Sequence, residues 1–170
     1  MFLTQWKNSK RGISAIEILI AVAIIASTLV TLLGLATFSL RVSLLTKETI
    51  RAKNIAQEVL EAVRNFRDGT TWDTDGLRTL STGESNPYYP EKDSSVPPEW
   101  NLVVGEEITN GFTRKVIFYN VWRDGDDNIV ESGGTYEDSG TKKVKAVVSW
   151  QERGKTHQIE LITFLTDWQE

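Results

Sequence analysis

Lys10-Arg11-Gly12-Ile13-Ser14-Ala15-Ile16-Glu17, followed by a run from Ile18 to Leu40 without one charged residue, is the stretch on which the fold turns. As an α-helix rising about 1.5 Å per residue, the run measures roughly 34 Å, enough to cross the hydrocarbon core of a bilayer. A basic cluster and a small residue precede it, and a single carboxylate, Glu17, lies just inside its head. A carboxylate at the centre of a membrane helix costs about 2.5–3.5 kcal/mol on insertion scales, and less near an end. Glu17 therefore has the strongest physical demand for a partner. Placed shallowly, it reaches the cytoplasmic headgroups. If the chain is cut after Gly12, Ile13 carries a free amine four residues before Glu17, and such an amine can pair with a carboxylate on a neighbouring helix. In a low dielectric that pairing enforces register, because an unpaired charge is expensive there.

Lys7, Lys10 and Arg11 precede Gly12 and no acidic residue does, which by the positive-inside rule keeps the head of the run cytoplasmic and sends the chain after Leu40 outward. Three readings of the segment compete. It is a discarded signal cut after Ala36, where Gly34-Leu35-Ala36 offers small residues; an uncleaved anchor; or a helix retained after a short leader is cut at Gly12. Gly34 lies inside the run, where a glycine costs about 1 kcal/mol relative to Ala and marks either a point of bending or a close helix contact.

The helical pattern continues past Arg41. Ala52, Ala56, Val59, Val63 and Phe66 recur at steps of three and four, widened by Ile55 and Ala62, while Arg51, Lys53, Gln57, Glu58, Glu61 and Arg64 occupy the wet face. Asp68-Gly69 reads as the stop, with the glycine in a left-handed conformation. The pattern predicts one helix from Ile13 to Phe66, apolar all round in its first half and amphipathic in its second. From Gly69 to Trp100 the composition turns to Asp, Thr, Ser, Gly and Pro, predicting a long surface connection with a short strand near Leu77–Leu80. Strands follow: a short one within Asn101–Glu107, one over Phe112–Arg123 covered on both faces, and two alternating runs around Glu152-Arg153-Gly154-Lys155. In the last pair Val144, Ala146, Val148 and Trp150 share one face, as do Ile159, Leu161 and Leu165. The fold class is α+β: a long N-terminal helix whose C-terminal half covers an antiparallel sheet of three or four strands.

The composition narrows the chemistry. The formal net charge of −4 becomes more acidic once the basic leader is removed, so nucleic acid is not an expected partner. The basic pairs Arg114-Lys115 and Lys142-Lys143, with Lys145, read as solvated strand faces. There is no cysteine, which excludes disulfides and thiolate metal sites. His157 is the lone histidine and reads as an exposed strand residue beside the hairpin turn. Ser139-Gly140-Thr141-Lys142 has a serine and lysine spacing used in acyl transfer but lies in a predicted loop instead of a helix start. Gly154-Lys155-Thr156 imitates the end of a phosphate-binding loop, yet Ser149 replaces its first glycine and a hairpin replaces its helix. Asp124-Gly125-Asp126-Asp127-Asn128, with Glu131 nearby, alternates oxygen ligands suited to calcium. Ile129 stands at the required glycine position and Thr135 at the bidentate glutamate, so an ordinary acidic turn is the expectation. No catalytic residue, cofactor or metal is expected.

The combination Lys-Arg-Gly, Ile-Ser-Ala-Ile-Glu and an apolar run resembles the prepilin leader of type IV pilins and the pseudopilins of related secretion systems. The stretch Ala56-Gln57-Glu58-Val59-Leu60-Glu61-Ala62-Val63-Arg64-Asn65 is similar to the extracytoplasmic helix of minor pilins of the PilV kind. The resemblance implies that a prepilin peptidase cuts between Gly12 and Ile13 and methylates the Ile13 amine, and that Glu17 guides docking into a filament. Two departures stand out: Ile13 replaces the family's commoner Phe, and Gly34 stands where major pilins often carry a proline. It further implies a leader over residues 1–12, a membrane and filament-core helix over 13–40, an amphipathic helix over 41–68 and an extracytoplasmic head over 69–170. The partners implied are other pilin subunits in a helical filament, the peptidase, an assembly platform and, as a single-pass protein, the cytoplasmic membrane before the cell surface. The rival from another class is a signal-anchored or secreted domain with binding or enzymatic activity of its own, starting at Thr37 or at Met1.

Overall fold

The structure, a computed structural model, describes residues 14–168. They fall into two compact units, one ending at Thr46 and the other beginning at Lys47. One helix, α1 (Ala15–Gly69), contributes to both. In the first unit every residue is helical from Ala15 onward and nearly all are exposed.

In the second unit the remainder of α1 lies against a seven-stranded antiparallel sheet: β1 (Tyr88–Lys92), β2 (Trp100–Val104), β3 (Glu107–Thr109), β4 (Phe112–Arg123), β5 (Ile129–Val130), β6 (Tyr136–Glu152) and β7 (Lys155–Thr166). The order is β2-β1-β4-β6-β7, with β3 and β5 as short additions to β4. The expected helical stripe is the buried one: Ala52, Ala56, Val59, Ala62, Val63 and Phe66, joined by Leu60. It meets Val116 and Phe118 of β4, Val144, Ala146, Val148 and Trp150 of β6, and Leu165 of β7 in one core. Alanines stand at positions 52, 56 and 146 of this core, and the valines, Phe66, Phe118 and Trp150 supply its larger side chains. Phe118 is fully buried and meets Tyr88 edge-to-face at 5.7 Å.

The α+β class stands, but the sheet has more strands than the three or four expected, for identifiable reasons. Pro90 argues against a strand, since proline cannot donate to a ladder. Here β1 pairs with β4 only at Tyr88↔Val116, so by Pro90 the strand has parted from that neighbour and needs no N–H. Leu77–Thr79, expected as a strand, is instead a turn of 3-10 helix that drives Leu77 into the core. The helix also ends differently: Gly69 is its last residue and is not among the left-handed positions, while the Thr70 hydroxyl donates to the Phe66 carbonyl at 2.8 Å. The hairpin between β6 and β7 turns at Arg153 and Gly154, with φ of 49° and 76°, the paired positive values that a two-residue turn between twisted strands requires.

Candidate membrane helix and a polar cleft in the head

Ser14 is the residue before the helix, and its carbonyl accepts from the N–H groups of Glu17 at 3.0 Å and Ile18 at 3.3 Å. Glu17 is thus the third helical residue after an N-terminal serine, the sequence position of a capping-box acid, where a negative charge also meets the positive end of the helix dipole. Gly12 and Ile13, the expected cleavage and methylation residues, lie outside the described residues. From Ile16 to Leu44 the large apolar side chains are 44–71% exposed on all sides, a continuous surface far beyond what a soluble monomer presents.

Four of the hydroxyl side chains in this half turn back on the helix itself. Ser27 donates to the Ile24 carbonyl at 2.9 Å, Thr28 to Ile25 at 2.8 Å, Thr31 to Ser27 at 2.9 Å and Thr37 to Gly34 at 2.8 Å. Each of these four hydroxyls is satisfied without water, which suits a lipid environment. The helix runs through Gly34 without a break, and a methyl group there would meet nothing within 4 Å. One helix is therefore long and apolar enough to cross a membrane. The chain matches no protein-family model, no curated protein and no solved structure.

In the second unit the surprise is Lys142. The register of β4 against β6 jumps from Asn120↔Lys142 to Val121↔Asp138, leaving Ser139, Gly140 and Thr141 as extra residues on β6. This bulge is pinned from several sides: the Trp72 indole N–H donates to the Ser139 carbonyl at 3.0 Å, Asp167 N–H to the Gly140 carbonyl at 2.8 Å, and Gly140 N–H to Asp138 Oδ1 at 3.0 Å. The segment expected as a loop is therefore strand, and Lys142, expected as solvated, is 6% exposed. Its Nζ donates to Asn120 Oδ1 at 2.6 Å, and it stands in no ion pair among the described residues. Burial pushes its ammonium below the ordinary lysine value. Beside it opens a cleft of about 630 Å³ lined by Arg78, Ser81, Asn120, Glu137 and Ser139 among others.

The other four residues of the basic strand pairs each meet a carboxylate: Arg114 with Glu107 at 2.5 Å and Glu58 at 3.2 Å, Lys115 with Glu106 at 2.6 Å, Lys143 with Glu131 at 3.0 Å, and Lys145 with Glu84. Hydrogen bonding to Glu84 raises the Lys145 value and correspondingly lowers that of Glu84. His157 is half-buried against Trp150, ring centroids 5.5 Å apart.

The acidic turn is occupied with its own backbone. Asp124 Oδ1 accepts from Asp126 N–H at 3.0 Å and Asn128 N–H at 2.9 Å, and these bonds, led by Asn128, hold its carboxyl below the usual range. Arg123 donates to Asp138 at 2.7 Å and to the Asp127 carbonyl at 2.7 Å. No cluster of three or more metal-ligating side chains is present among the described residues.

Burial works to raise the Asp138 carboxyl, but Arg123, Thr141 and the Gly140 N–H outweigh it and hold the value below normal. The native state then binds fewer protons than the unfolded chain. The resulting stability is present above the unfolded carboxylate value near ~3.9 and is lost as pH falls through the folded one. Melting curves between neutral pH and about pH 3 are expected to show a shallower acid slope for Asp138→Asn than for the parent. Identical slopes would remove Asp138 from the account.

Proposed function

We propose that the chain is a structural subunit, a minor pilin or pseudopilin, that waits in the cytoplasmic membrane as a single-pass protein and is drawn by its N-terminal helix into an extracytoplasmic filament. The observation that carries this reading is the join of two features in one stretch. An apolar helical surface exposed from Ile16 to Leu44 requires lipid or other helices around it, and its first turn bears a carboxylate directly after a basic, glycine-ended leader. A plain membrane anchor needs the first feature; the basic residues can also orient it and Glu17 can cap it, but the specific order of basic pair, glycine, four residues and acid is what the filament reading adds.

Assembly of this kind is heterologous and helical, each subunit presenting one surface to a different surface of the next. Apolar helices exchange lipid for one another at little net cost, so specificity must come from close packing and from rare polar groups. Glu17 is the acid available for that role at the head of the helix, and the amine it would meet is that of a neighbouring Ile13 after cleavage following Gly12. The head, outside the cytoplasm, contributes the exposed filament surface.

The deciding experiment is the mass of the N-terminal peptide of the protein purified from its native host. A peptide beginning at methylated Ile13 is the expected result. A start at Met1 or Thr37 would replace the filament reading with that of an anchored or secreted domain.

A further inference from the structure

Lys142 occupies a position where an aliphatic side chain would continue the buried row of Val144, Ala146 and Val148. An ammonium there is partly desolvated: the side chain is nearly covered, but Lys142 also lines the open cleft, so the acceptors its remaining donors need must come from whatever fills that cleft. Asn120 Oδ1, at 2.6 Å, is a single neutral acceptor for a group with three donors. The position also lies where the cover over the sheet changes from α1 to the segment Arg78–Thr82, which forms the other wall of the cleft.

Arg78 brings a second cation to that wall. One of its terminal nitrogens is held by Asp73 at 2.7 Å, and a guanidinium carries further donors in the same plane. The rest of the lining is mostly hydroxyl, amide and carboxylate, from Ser81, Thr82, Ser139, Asn120 and Glu137, with Leu80 as its large apolar residue and the Thr79 hydroxyl already donated to the Gly76 carbonyl. The volume, about 630 Å³, lies in the range of small-molecule sites. Two cations in one lining suit an oxyanion, although Glu137 acts on both of them, and Glu137 and Asn120 provide acceptors for hydroxyl donors that a bare oxyanion lacks.

We propose that this cleft binds an acidic sugar, a small polyhydroxyl ligand whose carboxylate or phosphate group sits between Lys142 and Arg78 and whose hydroxyls face Glu137, Asn120 and the serine and threonine side chains. The ligand supplies anionic oxygens at ion-pair distance, which Lys142 lacks among the described residues, Glu137 acting on it only from farther off. The site belongs to the head alone and does not depend on how the N-terminal helix is used.

The test is a calorimetric titration of the full chain in an amine-oxide detergent free of sugar and phosphate. The probes are glucuronate, glucose 6-phosphate, glucose and inorganic phosphate. Both acidic sugars are expected to bind with Kd near about 1 mM, and glucose and phosphate at least about tenfold more weakly. Lys142→Met is expected to weaken the acidic sugars by more than about tenfold while raising the melting temperature, because it removes a charge that folding must bury. Arg78→Gln, at a surface position, weakens them with the melting temperature unchanged, and it carries the test if the Lys142 variant does not fold. Heat from none of the four probes, equal binding of glucose and glucuronate, phosphate binding as tightly as glucose 6-phosphate, or unchanged affinity in a folded variant would each overturn the proposal.

Discussion

Glu17→Ala is expected to leave membrane insertion intact or slightly improved and to reduce incorporation into the proposed filament by at least about a hundredfold. Removing an acid near the end of a membrane helix lowers the cost of insertion. Inside an assembled bundle, removing one partner strands the other as an unpaired charge in low dielectric, a penalty of roughly 3–5 kcal/mol, which corresponds to that factor or more. The position of Glu17 three residues after Ser14 supplies a competing role as a helix cap. Glu17→Gln separates the two, because glutamine serves in a capping box but brings no charge. Counting epitope-tagged subunits in sheared filaments and in membranes gives both readouts. A Gln variant that assembles as well as the parent would reduce Glu17 to a cap.

The largest expected loss of stability is at Phe118→Ala. Phe118 is fully buried at the centre of β4, between the helical stripe and Val144 of β6, and stands edge-on to Tyr88. Phe-to-Ala changes in cores cost about 3–5 kcal/mol through lost transfer energy and the cavity left behind. Loss of the aromatic pair belongs to that cost. For a unit of this size the melting temperature should fall by more than about 10 °C. Ile108→Ala provides the comparison, since that side chain is 76% exposed and should be silent within about 0.5 kcal/mol. Tryptophan-fluorescence melts measure both, and equal melting temperatures for the two variants would contradict the placement of the core.

What the sequence displays and what it conceals divide along physical lines. The stripe from Ala52 to Phe66 and the β6–β7 hairpin are legible because each carries its own period, and the strand over Phe112–Arg123 because its apolar run continues on both faces, where Val116, Ile117 and Phe118 are all buried. The strand β1 was hidden because its proline is tolerated only through a departure from β4 that is decided by tertiary contacts. Leu77 was misread because a single apolar residue between polar neighbours fits either a strand or one helical turn. Gly69 was overread, since the Thr70 hydroxyl satisfies the helix end instead. Lys142 was the costliest omission. It shares parity with Val144, Ala146 and Val148, so its inward direction was present in the alternation, but a run of lysines suggested solvent. Gly12 and Ile13, on which the functional reading leans most, lie outside the described residues.

The core draws Ala52 to Phe66 together with Trp150 and Leu165, across nearly the whole length of the second unit. None of the helical stripe has its cover until β4, β6 and β7 are assembled. The loop-closure entropy of that long intervening chain must be met before any of these contacts forms. Such a head gains little from folding piecemeal. If it crosses a membrane as proposed, it stays open to proteolysis until the β6–β7 hairpin closes on the helix, and the interval between translocation and closure would then set how much of it survives.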